Sequence, residues 1–138
     1  MCMQSTLQIY KALLLVAHGS RRQQSNDEVD RIAETLKAHC SEEYHIIYSS
    51  FLELAETLIP DGIKKCVDDG ASSIVVLPYF LNSGRHVIKD VPSIVLAEKE
   101  KYPEVEFRIS KHLGASELML DLLVSTASSS ENEFVQQH

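Results

Sequence analysis

Apolar and polar positions change period several times along this chain, and each change marks an element. Leu13 to Ala17 form an unbroken apolar run, as expected of a strand in a parallel sheet covered on both faces. Ser25-Asn26-Asp27-Glu28 then has the S-x-x-E form of a capping box. Val29, Ile32, Ala33 and Leu36 follow at i, i+3, i+4 and i+7, which predicts a helix with one apolar face. His45–Phe51 reads as a second strand. Pro60 suits a first helical turn, Ile59, Ile63 and Val67 supply that helix's buried stripe, and Gly70 follows as its stop. Ser73–Leu77, closed by Pro78, is a third strand. A helix from Asp90 to Lys101 comes next, then a weaker strand Val105–Ser110 nearer an edge. A last helix, Ser116–Ala127, has Leu118, Leu122 and Leu123 expected to face inward.

The predicted order is therefore βαβαβαβα. It implies a single three-layer α/β domain, doubly wound, whose four-stranded, mainly parallel sheet has flavodoxin-like order and helices on both faces. Residues 1–11 form an N-terminal extension, 12–127 the domain, and 128–138 a flexible polar tail without period.

Composition narrows the classes. The chain has 138 residues, 44% hydrophobic and 24% charged, which suits one globular domain and excludes a disordered one. Its longest apolar run, Ala12–Ala17, is strand-sized, well short of the roughly 20 residues that cross a bilayer. Met1–Tyr10 has no basic region ahead of an apolar stretch, so no signal peptide is expected and the reading is cytoplasmic. A net charge of −7 disfavours nucleic acid as a partner. Cys2, Cys40 and Cys66 are far apart and form no CxxC, which argues against a zinc knuckle or a stapled secreted domain. Cys40 and Cys66 are expected at the apolar edges of helices.

In doubly wound sheets, ligands bind where the loops leaving neighbouring strands part. That rule selects the loops after the first and third strands. The first is His18-Gly19-Ser20-Arg21-Arg22, and the second contains Ser83-Gly84-Arg85-His86. Each holds a histidine, a glycine, a serine and an arginine. Glu53, just past the second strand, projects at the same sheet edge. Two imidazoles and a carboxylate suit iron, cobalt, nickel or zinc better than magnesium or calcium. Arg21, Arg22 and Arg85 cluster in an acidic protein, which points to a carboxylate- or phosphate-bearing ligand. His112 lies at the correct edge as a rim candidate. Tyr79, Phe80 and Leu81 could wall a flat ligand.

These pieces resemble the small class II tetrapyrrole chelatases, the CbiX-like sirohydrochlorin cobaltochelatases and ferrochelatases. The matching segments are Leu15–Arg21, Phe51-Leu52-Glu53, Ile74–Phe80, Ser83–Val87, Asp90-Val91-Pro92 and Leu113-Gly114, spanning about Ala12 to Leu123. The resemblance implies a lyase that inserts Co²⁺, Fe²⁺ or Ni²⁺ into sirohydrochlorin, on the way to cobalamin or siroheme. It implies that His18, His86 and Glu53 hold the metal and accept pyrrole protons. Ser20, Arg21, Arg22, Ser83, Gly84 and Arg85 would bind the substrate. No cofactor is expected beyond the metal substrate, and one domain offers only one wall for so broad a ligand, so a homodimer is expected. A non-catalytic metal or tetrapyrrole delivery protein needs the same ligands. A hydrolase fits less well, because Gly114-Ala115-Ser116-Glu117-Leu118 lacks the last glycine of a G-x-S-x-G elbow.

Overall fold

The computed structural model describes residues 9–40 and 42–135. Cys2 and most of the expected N-terminal extension lie outside them, as do the side chain of Cys40 and the last three residues of the tail. Four strands, β1 (Lys11–Ala17), β2 (Ile46–Phe51), β3 (Ser73–Pro78) and β4 (Glu106–Ile109), form one sheet. Its order is β2-β1-β3-β4, and each of the three pairings is parallel. The expected doubly wound sheet is therefore present, with β4 at an edge.

Alternation along β1 sends side chains to two separate cores. Leu14 and Val16 join Ile74 and Val76 of β3 against Ile59, Ile63 and Cys66 of α2 (Ile59–Asp68) and Val91 and Val95 of α3 (Val91–Lys101). Leu13 and Leu15 face the other way, onto Ala33, Ile32 and Leu36 of α1 (Gln23–Cys40). Fully burying a side chain such as Leu14, Ile59 or Ile63 contributes about 1.5–3 kcal/mol, and each of these three is 0% exposed. Cys66 sits in the α2–α3 core, where burial pushes its thiol up to about 12. It is a neutral packing residue across the physiological range.

Three local expectations are corrected. α1 begins at Gln23, so Ser25 and Glu28 lie inside it instead of boxing its start. The loop before it is turned by Ser20, whose hydroxyl accepts the Arg22 N–H at 3.0 Å. The segment preceding α3 is a π-helical turn, His86–Asp90, continuous with that helix. The largest correction concerns α4 (Met119–Ala127), which does not turn Leu118, Leu122 and Leu123 inward. They are 71%, 55% and 56% exposed, and α4 buries none of its residues. On the face of the sheet shared with α1, the core residues packed against Leu13 and Leu15 include Ala33, Ile32 and Leu36 of α1 and none from α4.

Candidate functional site at the carboxyl edge of the sheet

β1, β2 and β3 all end at one edge, and the first two outgoing loops are tied together through their backbones. The Leu52 and Glu53 amides donate to the Ala17 and His18 carbonyls at 3.0 and 3.1 Å. Gly19 makes this approach possible. Its φ is +98°, and a Cβ there would stand 1.7 Å from the Glu53 carbonyl oxygen. Leu54, at φ +57°, completes the reversal of the second loop. On the other side, Gly114 allows the loops after β3 and β4 to touch in the same way, with its amide donating to Phe80 at 3.0 Å and a Cβ falling 1.8 Å from the Leu81 carbonyl oxygen.

This stitching brings three of the predicted residues together. His18 Nε2 lies 2.9 Å from Glu53 Oε2. The His18 and His86 rings are tilted against each other with centroids 4.7 Å apart. Both partners of the His18–Glu53 pair are about half exposed, so the contact is worth at most about 1 kcal/mol in stability. Its interest is chemical: an imidazole nitrogen and a carboxylate oxygen stand in contact beside a second imidazole. Among the described residues, no three His, Cys, Asp or Glu side chains already stand as a closed ligand set for a metal ion. His18 Nε2 and Glu53 Oε2 face each other at 2.9 Å, so they must part before both can ligate one ion.

Glu53 and His86 line a cleft of about 300 Å³ together with Leu52, Asp90, Ser93 and Ile94. Ser20 turns the first loop, while Arg21, Arg22, Ser83, Gly84 and Arg85 are exposed around it. Among the described residues none of the three arginines forms an ion pair. A Cβ at Gly84 would meet nothing within 4 Å. His112 does not join the histidine pair; it lines a second hollow of about 520 Å³ with Leu77, Lys111, Leu113 and Leu118. Tyr79, Phe80 and Leu81 border a smaller one, about 160 Å³, against Leu113.

Two residues that hold the site were not singled out from the sequence. Asn26 is 3% exposed. Its Oδ1 accepts the Ser20 amide at 3.0 Å, while its Nδ2 donates to the Ser20 and Leu54 carbonyls at 2.9 and 3.1 Å. One buried amide therefore clamps the His18 loop to the Glu53 loop. No sequence signal marks it, since asparagine inside a helical period reads as solvated surface. Asn26→Ala should lower stability by about 1–3 kcal/mol, because it removes three hydrogen bonds to part-buried backbone groups of Ser20 and Leu54; the urea midpoint measures this, and an unchanged midpoint would contradict the clamp. The second residue is Asp90, whose Oδ2 lies 2.8 Å from His86 Nδ1. Its spacing of i+4 from His86 was a readable signal.

Fold and site together define a parallel α/β domain carrying a histidine–carboxylate donor cluster at the carboxyl edge of its sheet. Residues 12–130 match the CbiX family, and the chain belongs to that family. It is 34% identical over 111 residues to the chloroplastic sirohydrochlorin ferrochelatase of Arabidopsis thaliana, covering 80% of this chain and 48% of the relative. It is 32% identical over 115 residues to the sirohydrochlorin cobaltochelatase of Sulfolobus acidocaldarius, covering 83% and 88%. The solved structure of SirB from Bacillus subtilis with Fe³⁺ superposes with a TM-score of 0.76 at 30% identity, over 88% of this chain and 48% of that one. The chain spans less than half the length of the first three curated relatives, 48%, 40% and 42%. Among the described residues no helix is long and apolar enough to cross a membrane.

Proposed function

We propose that this chain inserts a divalent metal, Co²⁺, Fe²⁺ or Ni²⁺, into sirohydrochlorin in cobalamin or siroheme formation. The observation that carries this reading is the meeting of His18, Glu53 and His86, from three different loops, at one sheet edge. Metal insertion replaces two pyrrole N–H protons by one M²⁺, so the site must hold an ion and receive protons. Imidazoles do both, since an unperturbed ring titrates near 6.5 and its neutral form ligates the borderline metals of this series. Separation of His18 from Glu53 would free a ring nitrogen and a carboxylate oxygen beside His86 to hold the ion. The exposure of Arg21, Arg22 and Arg85, which form no ion pair among the described residues, supports a role in meeting carboxylates on the rim of the tetrapyrrole, together with Ser20, Ser83 and Gly84.

The experiment is to incubate the purified chain with sirohydrochlorin and Co²⁺, Fe²⁺ or Ni²⁺ and follow the absorbance of the macrocycle. Several metallated products per chain, formed faster than in buffer, are expected with at least one metal. Binding that stops at one equivalent with no acceleration would refute catalysis.

The working unit is a homodimer. Support comes from α4 and the residue before it, where Leu118, Leu120, Leu122, Leu123 and Val124 are 55–73% exposed. An apolar surface of this kind is unusual on a solitary domain. Leu120→Asp with Leu123→Asp should convert the dimer to monomer in sedimentation equilibrium while leaving domain stability within about 0.5 kcal/mol, as is usual for exposed positions. A native chain that sediments as a monomer at all concentrations would contradict the dimer.

A further inference from the structure

We infer that Asp90 is a positioning residue that fixes which ring nitrogen His86 presents to the metal. The inference rests on the reading of His86 as a metal ligand. Asp90 Oδ2 lies 2.8 Å from His86 Nδ1. An ionised carboxylate only accepts, so the proton on a neutral His86 ring belongs on Nδ1. That leaves the Nε2 lone pair unoccupied, and Nε2 is the nitrogen that can ligate. His18 is held in the opposite sense, with Nε2 the nitrogen toward Glu53. Two neighbouring imidazoles are thus oriented by two carboxylates through different ring atoms.

The local backbone is built to bring this contact about. Pro92 has no N–H to donate to the Ile88 carbonyl four residues earlier, and its ring would collide with that carbonyl in a regular helix. The turn opens instead, and the Val91 amide reaches back five residues to the His86 carbonyl. Wide turns of this kind are often found at functional sites. Val91 and Val95, 0% and 4% exposed, pin the start of α3 to the sheet. Asp90 and His86 are the two ends of that one turn, the Asp90 end held by α3 and the His86 end leading from the exposed segment 81–85. An aspartate at a helix start ordinarily caps the first free amides, yet Asp90 makes no cap bond. Its carboxylate goes to His86. With the two side chains 36% and 49% exposed, the pair adds at most about 1 kcal/mol to folding, too little to be a structural staple.

The test compares wild type, Asp90→Asn and Asp90→Ala in two measurements. The first reads the His86 ring ¹⁵N shifts of the metal-free protein, on the neutral ring, with His86→Ala identifying the signals. Wild type and Asp90→Asn, which keeps an oxygen acceptor in place, should show the Nδ1–H tautomer. Asp90→Ala should show a mixture in which Nε2–H is populated. The second is a Co²⁺ titration without tetrapyrrole. Loss of the outer partner of a ligating histidine weakens metal binding by about 10–100-fold, so Asp90→Ala should weaken it by that much and Asp90→Asn by clearly less. An unchanged tautomer in Asp90→Ala overturns the inference, and so does equal weakening in Asp90→Asn and Asp90→Ala. If His86→Ala binds Co²⁺ as wild type does, the assignment of His86 as a ligand fails instead, and the tautomer result still decides whether Asp90 orients the ring.

Discussion

Replacing His18 and His86 together by alanine should slow metallation of sirohydrochlorin by about 100- to 10,000-fold, the range in which a positioned proton-transfer group contributes. The single variants should each lose most of that factor, because the two rings, 4.7 Å apart, serve one ion and one proton path. Strongly sub-additive losses are therefore expected, as for any pair acting as a unit. Folding should be unaffected: His18 and His86 are exposed, and His18 contributes only a half-exposed ion pair to stability. A thermal midpoint close to wild type would locate the loss in the chemistry. Wild-type rates in the double variant would place the site elsewhere.

Gly19→Ala should be the most damaging single-atom change for the fold at this edge. The new methyl would fall 1.7 Å from the Glu53 carbonyl oxygen and 2.8 Å from its carbon, on a residue whose φ is +98°. The positive φ alone costs an alanine about 1–3 kcal/mol, and forcing a methyl into a filled space adds about 1–3 kcal/mol. The neighbour is backbone, so it has no rotamer through which to escape. A loss of about 3 kcal/mol or more follows, equal to roughly 10 °C in thermal midpoint for a domain of this size. The displaced strand-two loop carries Glu53, so metallation should fall as well. Gly84→Ala is the matched control, since a Cβ there meets nothing within 4 Å; its midpoint should not move. A Gly19→Ala protein as stable as Gly84→Ala would contradict the stitched-loop account.

What was legible in the sequence tracks the physics of each signal. β1 and β3 were readable because a strand buried on both faces has little choice but continuous apolar residues. The histidine pair was readable only through topology, since His18, Glu53 and His86 are 35 and 33 residues apart in sequence and become neighbours where parallel strands end together. α4 was misread for an equally physical reason. Apolar residues stand on most sides of Leu118–Val124, and periodicity reports that a surface wants cover without naming what covers it. Asn26 was beyond reach, because its role depends on the Leu54 carbonyl of a distant loop whose position no local pattern encodes. Asp90 lay between these cases: its spacing from His86 was visible, its partner atom was not.

The most direct measurement is the position of Co²⁺ in crystals of this chain, read from its anomalous scattering. The account predicts one ion about 2.1 Å from a ring nitrogen of His18 and of His86, with a Glu53 oxygen in its coordination sphere and His86 Nδ1 still bonded to Asp90. An ion seated instead among Asp27, Asp30 and Glu56, which border a separate acidic groove, with His18 and Glu53 still paired, would contradict it.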